Sequence, residues 1–367
     1  MIYDVAVVGA GPAGLATAIG ARLRGLEVMV ADRAHGPIDK ACGEGVMPTG
    51  LHALRELGVL AHLDLTRTAP IRGIRYLNED GTAVAGVLPH GGGLGIRRVA
   101  LSAALFARAR ELGVNVREGV EVRWLGRETR DDDGRPLHRL AINYDVAVAR
   151  FLVAADGPRS PLRERLGLSL PPGKSRRFGV RRHFGVEPWT DHVEVHFAEG
   201  VEAYVTPVGA SEVGVAFLWD AYRFSGEASF EAQLARFPRL FERLHGARAT
   251  SNARGLGPLR QRVRAVVAED VALVGDAAGY VDAITGEGIS LALQSAAVLT
   301  HELGQRRRGV LVGYARAHRT TFRRYARLAN ALLALARRPA LRRRAVAVLS
   351  RWPRLFSATL ARAFSPE

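Results

Sequence analysis

Gly9, Gly11 and Gly14 stand at the G-x-G-x-x-G spacing, with Ala10, Pro12 and Ala13 between them. That spacing builds a turn able to cradle a pyrophosphate. Gly9 permits the tight bend, Gly11 lets phosphate approach the backbone, and Gly14 lets helix and strand pack closely. Free N–H groups and the positive dipole end at the helix start would face the anion. Asp32 lies 18 residues beyond Gly14, where an acid can accept hydrogen bonds from a ribose, and Arg33 follows it. A glycine-tolerant turn with no ligand would need only the glycines. Here the neighbours argue for a site. Val5, Ala6, Val7 and Val8 read as a buried parallel strand, residues 13–26 as a helix, and 27–31 as a second strand ending on the acid. The stretch predicts a dinucleotide-binding βαβ unit.

Other residues able to do chemistry recur down the chain. The glycine-rich loop 33–48 holds Lys40, the single cysteine Cys42, Gly43 and Glu44, and long ordered loops tend to be functional. A strand predicted over 146–155 runs into Asp156, Gly157, Ser160 and Arg163. Another over 271–274 runs into Gly275, Asp276, Ala277 and Ala278. Gly286, Glu287, Gly288 and Ile289 then lead into a helix over 290–304. Between them, the apolar periodicity predicts helices at 48–57 and 97–112. Strands are expected at 71–77 and 83–88 around an Asp80-Gly81 turn, at 114–117, and at 120–125 and 137–142 around the acidic run 131–134. From 178 to 218 the residues alternate as in an antiparallel sheet.

Three of these motifs, in this order, resemble those of the large FAD-dependent superfamily that contains aromatic hydroxylases and geranylgeranyl reductases. They are the N-terminal G-x-G-x-x-G, the D-G-x-x-S-x-x-R beginning at Asp156, and the G-D-A-A beginning at Gly275, and the resemblance spans about residues 3–305. It implies an α/β fold in which an FAD-binding, Rossmann-like domain of the glutathione-reductase type (1–70, 95–175 and 255–305) is interleaved with an antiparallel-sheet substrate domain (71–94 and 176–254). A basic helical segment, 306–367, follows. By the same resemblance FAD is bound by Gly9, Gly11, Pro12, Ala13, Gly14, Asp32, Arg33, Asp156, Gly157, Gly275 and Asp276, and reached by either Arg97 or Arg98. The turn Gly286, Glu287, Gly288, Ile289 aims a helix N-terminus at the flavin, where reduction leaves negative charge.

The stretch Lys40 to Gly45 resembles the K-x-C-G-x-G loop of the geranylgeranyl reductase branch. That makes Cys42, Gly43 and Glu44 candidate catalytic residues beside the flavin, with a packing role as the alternative for Cys42. No second cysteine or histidine cluster accompanies it, so no metal is expected. Those reductases carry an aromatic Y-x-W-x-F-P pattern where this chain keeps Tyr204 and Pro207 but has Val205 and Thr206. Tyr204 is thereby a candidate wall of the substrate cavity, and the departure turns expectation away from an isoprenoid. The expected activity is FAD-dependent oxidation or reduction of a hydrophobic small molecule, polyketide, quinone or isoprenoid-like. Hydroxylation by a monooxygenase stands first and reduction of carbon–carbon double bonds second. A non-catalytic flavin-binding partner stands third. With no second G-x-G-x-x-G, NAD(P)H or another external reductant must supply the electrons.

Composition narrows the setting. Hydrophobic residues make up 48% of the 367 and charged residues 24%, as in ordinary globular chains. The net charge of +16 is unevenly placed. Residues 301–367 hold 16 arginines and two glutamates, +14, which leaves +2 for the first 300. Arginines there alternate with Leu, Ala, Val, Phe and Trp at helical spacing. Such helices either pack on the core with a solvated basic face or lie in a membrane interface. No nucleic-acid-binding module is recognisable. Apolar runs too short to span a bilayer and a strand at the very start predict a cytoplasmic protein, peripheral at the inner membrane face if the basic helices touch lipid.

Overall fold

Short runs of valine and alanine make the parallel sheet at the centre of the chain. In the computed structural model, which describes residues 2–131, 134, 136–171, 173, 176–223, 227–305 and 309–364, Ile2–Val8 lies between Val28–Ala31 and Asp145–Ala154. Asn115–Arg117 extends the sheet on one side and Val271–Leu273 on the other, all in parallel. Strands so thoroughly apolar require cover. The helix Pro12–Arg22, buried at every residue from 13 to 21, packs against Arg98–Glu111 and Gly288–Gly304. The hairpin Val122–Arg130 and Pro136–Ile142 pairs antiparallel with the first half of Asp145–Ala154. Residues 132 and 133 of the acidic turn, and 306–308 and 365–367 of the basic segment, lie outside the described residues. The helices Pro48–Glu56 and Arg98–Glu111 stop just before Gly58 and Gly113, whose φ values of 71° and 72° suit a residue without Cβ.

The second sheet runs in the order Arg248–Ala249, Arg177–Gly185, Glu212–Asp220, Val201–Gly209, His192–Ala198, Gly73–Leu77, Ala83–Val87. Its neighbours are antiparallel with one exception: His192–Ala198 and Gly73–Leu77 are parallel, with Val195 beside Tyr76. The one parallel pair arises because no hairpin joins its two strands. The chain between them passes through the other sheet, so no turn dictates their direction. Loop 33–48 is also more ordered than a connector. Its Gly45–Val46 pairs with Gly93–Gly95, which pairs in turn with Ala69–Ile71. A Cβ on Gly95 would lie 1.7 Å from the Pro207 carbonyl oxygen, so this small patch is pressed onto the second sheet.

Three helices end the chain, Val310–Ala336, Pro339–Arg351 and Pro353–Phe364. Their Tyr325, Ala329, Leu333, Val346, Phe356, Leu360 and Phe364 join Ile74, Val84, Val195, Phe197 and Tyr204 in one buried apolar cluster. The inner face of the basic segment therefore packs on the second sheet. Among the described residues no helix is long and apolar enough to cross a membrane. The sheet's other face is covered by Phe230–Leu234 and Pro238–Arg243 through Phe217, Phe230, Phe237 and Leu240.

Candidate functional site

The spaced motifs close on one place, and backbone contact brings them together. A Cβ on Gly9 (φ 107°) would lie 2.3 Å from the Ala155 carbonyl oxygen, and one on Gly14 would lie 1.8 Å from the Gly9 carbonyl oxygen. Gly275 fits under the helix start, its Cβ position 2.7 Å from the Ala13 Cβ. Pro12 occupies the first helical turn, where a missing N–H costs nothing. Asp32 braces the turn, accepting the Ala10 N–H at 2.6 Å and the Ala34 N–H at 2.8 Å. Arg33 is exposed.

Gly11 is different. A Cβ there would meet nothing nearer than Nη2 of Arg98, at 3.9 Å. Arg98 is 5% exposed, and among the described residues its guanidinium has no hydrogen bond or ion pair. Burial lowers its pKa. The carboxylates of Asp276, Glu44 and Asp39 attract it without bonding it, and a buried guanidinium short of hydrogen bonds beside Gly11 suits an anion held at the turn. Arg97 turns the other way, pairing through Nη1 with Glu212 at 2.5 Å. Of the two arginines, Arg98 is the one at the cradle.

The later motifs are tied to this place by side chains. Arg163 donates to the carbonyl oxygens of Pro158 at 2.7 Å and Ala277 at 3.2 Å, which joins the second motif to the third. Ser160 caps its short helix by accepting the Arg163 N–H at 3.0 Å. Lys40 Nζ pairs with Asp276 Oδ2 at 2.9 Å and lies 3.8 Å from the Cβ position of Gly157. Gly286, with φ 69°, ends the turn before Glu287, Gly288 and the buried Ile289. Several buried polar atoms here lack a protein partner: Asp156 Oδ1, Glu287 Oε2 and Ser290 Oγ. Burial raises the pKa of Asp156 and pushes Glu287 up to about 7. Unsatisfied buried groups call for a ligand or water, so the residues present fit a bound dinucleotide.

The loop residues differ from one another in burial. Cys42 is half-buried and Gly43 opens on free space, with nothing within 4 Å of its Cβ position. Burial pushes the Cys42 thiol up, with Arg98 opposing, so the cysteine is kept as a neutral thiol. Glu44 is 1% exposed. Its Oε1 accepts the backbone N–H of Arg98 at 2.7 Å and its Oε2 is bonded to His183 Nε2. With both oxygens engaged, Glu44 braces the loop against the helix start. His183 is held in turn by Ser251 Oγ at 2.7 Å.

Tyr204 donates its hydroxyl to the Ile284 carbonyl oxygen at 3.3 Å, beside the glycine turn. On the same face of the second sheet Arg177 is clamped between Glu202 at 2.6 Å and Asp282 at 2.9 Å, all three buried or nearly so. Arg181 reaches Asp39 at 2.5 Å. The sequence reading missed Arg177, Arg181 and His183. Part of their signal was available: positions 177, 181 and 183 share one phase of the strand and turn to one face, while Arg182 turns to the other, toward Glu231.

Residues 2–316 match the family described as FAD binding domain. Menaquinone reductase of Mycolicibacterium smegmatis is 30% identical over 313 residues, covering 80% of this chain and 74% of that protein. Digeranylgeranylglycerophospholipid reductase 1 of Methanothermobacter thermautotrophicus is 30% identical over 310 residues, covering 78% and 73%. Two solved structures share the fold. A variant of PqsL from P. aeruginosa has a TM-score of 0.79 at 19% identity, covering 93% of this chain and 98% of that one. A variant of the halogenase PltM in complex with FAD has 0.79 at 17%, covering 98% and 86%. The matched motifs, their convergence on one cradle and these relatives agree: the chain belongs to the FAD-binding domain family and is an FAD-dependent oxidoreductase.

Proposed function

We propose that the protein holds FAD with its pyrophosphate beside Gly11 and Arg98 and saturates a carbon–carbon double bond in a lipid-like substrate, a quinone side chain or isoprenoid. The observation that carries the FAD placement is Arg98, a buried guanidinium with no hydrogen bond among the described residues, beside the one glycine of the turn where a Cβ would meet no clash. Bound FAD supplies the hydride chemistry. Gly9, Gly14, Pro12 and Ala13 shape the phosphate turn, Asp32 takes the ribose, and Asp156, Gly157, Gly275 and Asp276 line the remaining length. Gly286, Gly288 and Ile289 set the helix start near the ring. Glu287 holds a proton on a buried carboxyl pushed up to about 7, which suits a group that protonates the second carbon. Tyr204, Tyr76 and Phe197 exclude water from the sheet side.

Kinship over about four-fifths of the chain with proteins named as reductases moves double-bond reduction ahead of hydroxylation, which the sequence alone placed first. Hydroxylation remains a second reading, favoured by Val205 and Thr206 where the reductase pattern has aromatics. Electrons come from NAD(P)H or another external donor. A substrate that partitions into lipid implies work at a membrane surface, with peripheral contact through the C-terminal helices.

The test is anaerobic. Protein reduced with dithionite is mixed with a menaquinone bearing an unsaturated side chain, and flavin absorbance and product mass are followed. Reoxidation without oxygen, with a side chain heavier by two hydrogens, is expected. Reoxidation only with oxygen, giving a product heavier by one oxygen, overturns the reduction in favour of hydroxylation. Arg98→Gln should weaken FAD binding roughly tenfold to a hundredfold, the worth of a charge-assisted hydrogen bond, without lowering the melting temperature of the apoprotein. Wild-type FAD affinity in that variant would remove Arg98 from the site.

A further inference from the structure

We infer that the last two helices present a preformed bilayer-docking edge, made of Leu341, Val348, Trp352 and Leu355 with Arg338, Arg344, Arg351 and Arg354 around them. The inference rests on the reading above that the protein meets a membrane, and it names the face that does so.

Four large apolar side chains are left in water on an otherwise well-packed segment: Leu341 is 49% exposed, Val348 58%, Trp352 65% and Leu355 51%. Leu341 and Val348 stand seven residues apart on Pro339–Arg351, two turns along one face. Trp352 and Leu355 lie at the junction with the next helix, where the Leu355 N–H bonds the Trp352 carbonyl oxygen at 3.0 Å. Trp124 and Trp219, by contrast, are 7% exposed.

The opposite faces of these helices are fixed in place. Val346, Phe356, Leu360 and Phe364 sit in the apolar cluster with Ile74 and Val84. Arg342 is 1% exposed, donates to Asn78 Oδ1 at 3.2 Å, pairs with Glu79 and lies 4.6 Å over the Phe197 ring. The outer face is therefore set before any partner arrives, and nothing in it has to fold on binding.

Charge chooses the occupant. Arg338, Arg344, Arg351 and Arg354 are exposed, and among the described residues none of them forms an ion pair. The carboxylates nearby are already used, Glu79 by Arg342 and Asp220 by Arg337. A nucleic acid or an acidic protein would satisfy the arginines and leave Trp352, Leu355 and Val348 without a counterpart. A bilayer containing anionic lipid takes both, with apolar side chains below the headgroups and guanidinium groups among the phosphates.

The test uses the full-length, FAD-loaded protein with vesicles of phosphatidylglycerol and phosphatidylcholine, or of phosphatidylcholine alone, read by co-sedimentation and tryptophan emission. Wild type should bind the anionic vesicles with a blue shift in emission, and more weakly at high salt. Each arginine changed to Gln should cost about fivefold in partitioning. Arg338→Gln, Arg344→Gln, Arg351→Gln and Arg354→Gln together should therefore cost at least about a hundredfold. Trp352→Ser with Leu355→Ser should remove the blue shift and most of the binding, with bound FAD and melting temperature unchanged because both residues are exposed. Wild-type binding that survives in both variants places the docking face elsewhere and overturns this inference while the membrane reading stands. Wild type that binds no vesicle overturns both.

Discussion

The two sheets meet at the candidate site and are held by different physics. On the parallel side the critical contacts are backbone against backbone: Gly9 on Ala155, Gly14 on Gly9, Gly275 on Ala13. Val5, Ala6 and Val7 behind them are fully buried, with no polar side chain to satisfy. On the second sheet the inward face is rich in buried charge, with Arg177, Glu202 and Asp282 in one cluster and Arg181, Asp39, His183 and Glu44 in another. A backbone contact either fits or fails, whereas a charge cluster can be replaced member by member as long as the balance is kept. The first side is rigid against substitution and the second is exchangeable.

That contrast can be broken most directly at Gly14. Gly14→Val puts its Cβ on the Gly9 carbonyl oxygen, and more than about 4 kcal/mol of stability should go, with FAD retention. Denaturant unfolding and flavin absorbance measure both. A folded, yellow variant would show the turn to be as adaptable as the charged face. Next in size is Arg177→Met, which leaves Glu202 and Asp282 buried without a cation and should cost about 3–5 kcal/mol. Adding Glu202→Gln and Asp282→Asn should restore most of it. Failure of that rescue would mean the cluster is held by shape, as the glycine turn is. The smallest effect belongs to Glu287. Its pKa rises from 4.5 to about 7 on burial, so the folded state binds the proton more tightly than the unfolded chain. The stability is complete below the unfolded value and is lost as pH rises through about 7. Glu287→Gln should flatten the fall in melting temperature between about pH 5 and 8, and parallel profiles would show the carboxylate to be well solvated.

What was legible in the sequence follows the same division. The glycine spacing, Asp32 and the helix over 97–112 with Gly113 behind it are local constraints, and they are found in the fold within a residue or so. The parallel pairing of Gly73–Leu77 with His192–Ala198 was not legible, because its partners come from distant parts of the chain. Glu44 was legible as part of a notable loop, but its bonds to His183 and the Arg98 N–H were not, because neither partner is disclosed by the loop sequence. The choice between Arg97 and Arg98 depended on the phase of a helix start, which a periodicity cannot resolve to one residue.

The central position of Ile2–Val8 also means that the turn it feeds is closed by distant parts of the chain. The Ala155 backbone that closes on Gly9 lies about 145 residues further along the chain, and Gly275 about 120 beyond that. The last of the proposed cradle, Ile289, lies 280 residues beyond Gly9. The turn is therefore completed only by pairings of high sequence separation, which are slow to form. Under the proposed placement, flavin uptake depends on these distant closures, so loosening any one of those segments should release the flavin.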